Sequence, residues 1–268
     1  MQTNLEKIKY NRFFLFSLLA TGFIVLVANA FGKQAATVTT DLLYVPLSGA
    51  LLVFSIMVAK KNRGSGDHGK AYILFLGFVA SWFVAEFIWI SSELFFHLSP
   101  FPDEAEWFYL GGYPFLFLFS AYYLKPFKKA ISKKMLSYGL LATMIFLVPT
   151  LNSIYSYNPY GSLPEMIWAA IYPISDALVL FPAVLGMMLF FKGQVGLLWS
   201  LVFLAIILNI IADSGFLFSD VDKSYYSGNP IDILYLWSYI LFAFGIYSHV
   251  QMFKTPKKKS FGNLEDLR

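Results

Sequence analysis

Residues 197–218 read LLWSLVFLAIILNIIADSGFLF, with no lysine or arginine and a single carboxylate, Asp213, towards the end. At about 1.5 Å per residue such a run reaches about 30 Å, the thickness of a bilayer's hydrocarbon core. Its polarity does not alternate as it would in the ~10-residue strands of a membrane barrel. The stretch therefore reads as a membrane helix. Seven others qualify on the same grounds, at 13–31, 42–59, 71–96, 107–124, 135–155, 165–191 and 231–253, and none of them contains Lys or Arg. The expected fold class is all-α, a polytopic membrane protein with eight transmembrane helices.

Composition agrees with that reading. Of 268 residues, 58% are hydrophobic, 19% aromatic and 13% charged, with a mean hydropathy of +0.62. A soluble domain carries about 25% charged residues, and this chain has too little polar surface to cover its apolar mass in water. A cytosolic enzyme, a nucleic-acid-binding domain and a disordered chain are all excluded. The chain has no cysteine, hence no disulfide or thiolate metal site.

Basic residues set the expected orientation. Lys7, Lys9 and Arg12 precede the first span. Lys60, Lys61, Arg63 and Lys70 flank loop 60–70, and Lys125, Lys128, Lys129, Lys133 and Lys134 fill loop 125–134. Lys192 follows the sixth span, and Lys254, Lys257, Lys258, Lys259 and Arg268 lie in the tail. In an eight-span chain these 18 of the 20 Lys and Arg share one side, with only Lys33 and Lys223 on the other. The positive-inside rule then puts both termini in the cytoplasm. The opposite loops are acidic, with Asp103, Glu104, Asp220 and Asp222. The net charge of +4 thus reports insertion and anionic lipid at the inner face, in the cell membrane. The first span also ends in Ala28-Asn29-Ala30, small residues of the kind found at leader cleavage sites. The repeat described next requires that span as a helix.

Two halves of the chain match in order. Leu18-Leu19-Ala20-Thr21 pairs with Leu140-Leu141-Ala142-Thr143, and Pro46-Leu47-Ser48 with Pro173-Ile174-Ser175. Ser91, Leu94 and Phe95 pair with Ser214, Leu217 and Phe218, while Tyr109-Leu110 and Tyr113 pair with Tyr235-Leu236 and Tyr239. The expected organisation is one integral membrane domain of two tandem four-helix repeats, 1–130 and 131–253, followed by a basic tail, 254–268. Four spans per unit make the repeats parallel, about an axis along the membrane normal.

Each helix that runs inward from the outer face opens with an acid, an aromatic three residues on, and Tyr or Ser at the seventh. The sets are Asp41/Tyr44/Ser48, Glu106/Tyr109/Tyr113, Glu165/Trp168/Tyr172 and Asp232/Tyr235/Tyr239. Asp103, Ser162 and Asn229 stand three residues before three of these acids, which is capping-box spacing. Pro164 and Pro230 fit first-turn positions, and the aromatics fit an interfacial belt. Capping plus belt accounts for the pattern; the alternative is four stripes ringing an outward-facing polar mouth.

Acids inside the spans carry more information. Asp176 lies about 16 Å below the outer surface, Glu86 is similarly deep, and Glu93 and Asp213 lie nearer the outer end. A central carboxylate costs about 2.5–3.5 kcal/mol to insert, and no span offers a basic partner. Glu86, Trp89 and Glu93 share one helix face, as do Asn209 and Asp213, and Tyr172 stands one turn above Asp176. Pro46 and Pro173 are expected to kink their helices and free nearby carbonyls. The candidate ligand-binding set is Glu86, Trp89, Glu93, Tyr172, Asp176, Asn209 and Asp213, lining a polar cavity in the outer half for a cation, an amine or a proton. The alternative is that protonated acids tie the helices together by hydrogen bonds of about 0.6 kcal/mol each.

Other chemistry finds no foothold in the sequence. No span contains a lysine for a retinal Schiff base, and His68, His97 and His249 show no paired metal spacing. There is no glycine-rich phosphate loop or nucleophile elbow, so neither an enzyme nor a cofactor protein is expected. Asp232-Ile-Leu-Tyr235-Leu-Trp-Ser-Tyr239, and its second copy Glu106-Trp-Phe-Tyr109-Leu-Gly-Gly-Tyr113-Pro114, resemble a stretch of the multi-helix membrane sensor regions that precede microbial diguanylate cyclases and histidine kinases. The resemblance implies a sensor-like role. With 15 residues after Phe253, a stand-alone version is expected, whose output is another protein at the cytoplasmic face, or none. Other expected partners are membrane lipids and a small cationic ligand, with no nucleic acid. The inner halves, Val179 to Phe191 and Val195 to Ile207, are apolar, which favours binding over the alternatives of a small solute or cation transporter and a scaffold subunit.

Overall fold

The computed structural model describes residues 4–98, 104–157, 163–190 and 196–252. The described residues are almost entirely helical, with no strand among them. Eight α-helices follow in order: α1 (Asn4–Ala30), α2 (Lys33–Lys61), α3 (Gly66–Leu94), α4 (Ala105–Leu124), α5 (Lys133–Tyr157), α6 (Leu163–Phe190), α7 (Gly196–Val221) and α8 (Asp232–Met252). A short 3₁₀ turn, Lys125–Ala130, follows α4. Loop residues 191–195, the caps Asp103 and Ser162, and the basic tail from Lys254 lie outside the described residues.

Six helices are long and apolar enough to cross a membrane: α1, α2, α3, α5, α6 and α7. The apolar run of α8 is shorter, Asp232–Ser248. In α4 the composition AEWFYLGGYPFLFLFSAYYL is rich in Tyr and Trp, whose polar tips lower its hydropathy although the rings are apolar. The expected boundaries also shift. Hydropathy marks 42–59, yet α2 begins at Lys33, because Gln34, Thr37, Thr39 and Thr40 are helical residues outside the apolar window. Pro46 and Pro173 sit inside uninterrupted helices.

Six helices close a ring in the order α2, α3, α4, α6, α7, α8 and back to α2. α1 packs outside it on α2 and α8, and α5 packs outside it on α6. Lipid offers no hydrophobic drive to bring helices together, so close packing and interhelical hydrogen bonds must do so. Gly112 illustrates the packing: a Cβ there would meet the Trp82 ring at 2.5 Å, so only glycine lets α3 and α4 approach this closely. The Trp82 indole N–H donates to the Tyr109 carbonyl at 3.0 Å, and the Ser81 hydroxyl to the Phe108 carbonyl at 2.6 Å. The Trp237 indole N–H likewise donates to the Leu18 carbonyl of α1 at 2.8 Å.

One half of the ring is filled by rings of phenylalanine. Phe75 packs on Phe119 at 4.9 Å and on Phe242 at 5.6 Å, and Phe78 on Phe242 at 5.6 Å. All four are buried, with Phe203 beside them in the same core. Large apolar side chains on the outer faces, such as Phe16, Phe23 and Ile145, are about two-thirds exposed, as a lipid-facing surface requires.

Candidate functional site

The other half of the ring is polar. It lies at the end that carries the 31–32 and 222–231 connections, away from the basic loops after α2 and α4. A pocket of about 100 Å³ opens there. Glu86, Trp89, Tyr172, Asp176, Asn209 and Asp213 all line it. Glu93 does not: its carboxyl sits beside Trp89 and Ser227, further towards the helix end.

Carboxyl groups stand among a largely aromatic lining. Asp41, Glu86, Glu106, Asp176, Asp213 and Asp232 contribute six acids, one from each of the six ring helices, with no Lys, Arg or His among the lining residues. Five of them are at least nine-tenths buried. Tyrosine supplies most of the hydrogen bonds. The Tyr113 hydroxyl lies 2.7 Å from Asp176 Oδ1 and 3.1 Å from Asp213 Oδ2. Tyr235 donates to Asp213 Oδ1 at 2.7 Å, and Asn209 Nδ2 to Asp213 Oδ2 at 2.8 Å. Tyr239 donates to Glu86 at 2.8 Å, and Tyr172 to Glu106. A phenol has one hydrogen, so Tyr113 holds both aspartates only if one of them is itself protonated and donates back.

The four-fold helix-start pattern now has a different meaning. Asp41, Tyr44, Glu106, Tyr109, Tyr113, Asp232, Tyr235 and Tyr239 all line the pocket. Capping accounts for Asp232, where Asn229, three residues earlier, accepts the Ile231 N–H on its Oδ1 at 3.1 Å, but not for Asp41 or Glu106. α2 starts eight residues before Asp41, and neither α2 nor α4 has a side-chain cap. The Asp232 carboxylate takes the Gly228 N–H at 2.6 Å and the Tyr225 hydroxyl at 3.2 Å, in the preceding loop. The side chains of Glu165 and Trp168 lie outside the described residues. In the sequence the same stripes stand as the alternative of an outward-facing polar mouth, set behind capping because three of the four acids have capping-box spacing.

A connection closes the pocket's open end. Residues 222–231 bring Tyr225 and Ser227 to the lining, and α1 and α2 hold them there. Asn29 Nδ2 donates to the Gly228 carbonyl at 2.7 Å, the Tyr226 hydroxyl donates to Asn29 Oδ1 at 2.6 Å, and Thr37 donates to the Ser227 carbonyl at 2.7 Å. Lys33 lies over the Tyr226 ring at 4.8 Å. Within this frame Asp41 Oδ2 and Asn209 Oδ1, buried acceptors of the lining, have no hydrogen-bond partner.

Fold and lining together define the class: an all-helical multi-pass membrane protein with an acidic, tyrosine-walled pocket at one end. Among the described residues, no group of three or more His, Cys, Asp or Glu is arranged to hold a metal ion. No protein-family model, curated protein or solved structure matches the chain.

Proposed function

We propose that the chain is a sensor-like, ligand-binding protein of the cell membrane whose acidic pocket, in the outer half, takes a small cation, amine or proton. The observation that carries this reading is the gathering of six carboxyl groups around one pocket whose lining has no basic side chain. Each charge buried in the bilayer is costly, and like charges gathered together add to the cost. Hydrogen bonds from tyrosine offset part of it, and a bound cation or proton offsets the rest.

The topology in this proposal has eight spans and two tandem repeats, with both termini cytoplasmic. α4 and α8 have 20 and 21 residues, about 30 Å each, and both are integral to the ring. Neighbour relations support the repeat: α4 packs on α6 as α8 packs on α2. At the first junction Tyr113 meets Tyr172 edge-on at 6.3 Å; at the second Tyr239 meets Tyr44 edge-on at 5.9 Å. Glu106 and Asp232 then fall at equivalent places, as do Glu86 and Asn209.

Transport needs a polar path onward, and the phenylalanine packing below the pocket favours binding instead. The basic inner loops suit lipid headgroups and a protein partner, to which a bound ligand would be reported. Purified protein should gain thermal stability as small primary amines are titrated in, and Asp176→Asn and Glu86→Gln should each weaken that response about tenfold. An unchanged response in both variants, with the fold intact, would overturn the reading.

A further inference from the structure

The two unpartnered acceptors lie on separate walls. Asp41 Oδ2 is on α2 and Asn209 Oδ1 on α7, in side chains 1% and 4% exposed. Both helices pack on α8, which separates them in the ring. The acids divide in the same way. Asp41 lies within electrostatic range of Glu86, Glu93 and Asp232, whereas Asp176 and Asp213 lie against each other, next to Asn209. Each acid group therefore holds a buried acceptor without a donor, Asp41 Oδ2 with Glu93 Oε2 in the first and Asn209 Oδ1 in the second, a state that costs about 1–3 kcal/mol each.

Between the two groups the walls are aromatic. Trp82, Tyr109 and Tyr113 present ring faces and edges to the pocket, surfaces suited to methylene groups and to cations. A quaternary ammonium has no N–H for either acceptor. A bare metal ion finds no cluster arranged to ligate it among the described residues. A single primary amine satisfies one group and leaves the other acidic and unpartnered.

Resting on the proposed cation-binding reading, we infer that the ligand is a linear aliphatic diamine. One ammonium is held by Asp41 with Glu86 and Asp232, and the other by Asn209 with the Asp176–Asp213 pair. The carbon chain runs between the aromatic walls. Two positive ends answer two separated groups of acids, and at least one N–H at each end satisfies each orphaned oxygen.

The full chain in detergent or nanodiscs is titrated, with thermal stability as the readout, against 1,4-diaminobutane and 1,5-diaminopentane. Butylamine, 4-aminobutanol and tetramethylammonium serve as single-ended or N–H-free probes. The expected result is that a diamine binds at least tenfold more tightly than any of these three. Asp41→Asn should bring the diamine down to the butylamine level, and Asn209→Leu should also cost the diamine tenfold or more. Equal binding of diamine and butylamine, or of diamine and aminobutanol, overturns the two-ended ligand and leaves the cation-binding reading standing. Equal binding of tetramethylammonium overturns the role of the N–H donors. No response to any of the five overturns both readings. Should either variant fail to fold, the ligand series on the unaltered chain decides alone.

Discussion

The hydroxyl of Tyr239 donates to Glu86 Oε1 at 2.8 Å, joining α8 to α3 across 153 residues of sequence. The same ring stands edge-on to Tyr44 of α2 at 5.9 Å and to Trp82 of α3 at 6.3 Å. One phenol thus fixes three helices of the ring at the level of the pocket. Both partners are buried, at 3% and 7% exposure, so water cannot replace the bond if it is lost.

Tyr239→Phe keeps the ring contacts and removes only the donor. Leaving a buried carboxyl short of a hydrogen bond should cost about 1–3 kcal/mol. The thermal midpoint in detergent should fall, while Glu86→Gln introduced into the same background should recover part of the loss, because a neutral amide needs the phenol less. A midpoint unchanged by Tyr239→Phe would mean that the bond contributes nothing to stability.

Some of this site was legible in the sequence and some was not, for identifiable reasons. Glu86, Asp176 and Asp213 stand inside apolar runs, where a carboxyl has no local explanation, so each advertises itself. In the sequence Asp41, Glu106 and Asp232 stand at the starts of apolar runs, where the helix dipole and a cap account for an acid equally well. Only the packing of α2 on α8 and of α4 on α6 turns their side chains inward, and such contacts between distant helices leave no trace in local spacing. The helices themselves were read easily, because apolar length is a local property. Their ends were not, since α2 continues through Thr37 to Lys33 beyond its hydropathy signal.

Asn29 ties the 222–231 connection to α1 through the Gly228 carbonyl and the Tyr226 hydroxyl. Asn29→Ala removes both bonds and leaves only Thr37 as a hydrogen-bonded tether from the first two helices. Backbone amides of Tyr225 to Gly228 should exchange hydrogen roughly tenfold faster, the effect of about 1.4 kcal/mol of local stability. Amides of α3 and α7 should keep their rates. Hydrogen exchange read by mass spectrometry separates the two, and equal acceleration everywhere would indicate general destabilisation instead of a loosened cover.

Two glycines with the same positive φ allow strain and contact to be told apart. Gly228 has φ +89° and Gly64 φ +88°, but a Cβ on Gly228 would meet the Ala36 backbone at 2.5 Å, whereas one on Gly64 would meet nothing within 4 Å. Gly64→Ala should cost only the left-handed strain, about 1–2 kcal/mol. Gly228→Ala adds a clash with helix backbone that cannot rotate away, so it should lower the thermal midpoint clearly more and weaken amine binding as the cover shifts. Equal midpoints for the two variants would show that the cover does not press on α2 as closely as the structure has it.

The absence of cysteine from the chain makes its orientation directly measurable. Ser224 lies exposed in the connection over the pocket, and Ser65 and Ser132 lie beside the basic loops at the opposite end. A single cysteine at Ser224 should react with a membrane-impermeant maleimide added to intact cells. Cysteines at Ser65 or Ser132 should react only after the membrane is opened, because the proposed orientation puts their lysine-rich loops on the cytoplasmic side. The reverse pattern would place the acidic pocket on the cytoplasmic side, and the ligand would then have to be an intracellular amine. Labelling of Ser65 and Ser132 from opposite sides would break the eight-span count itself, since α3 and α4 together must return the chain to the face it left.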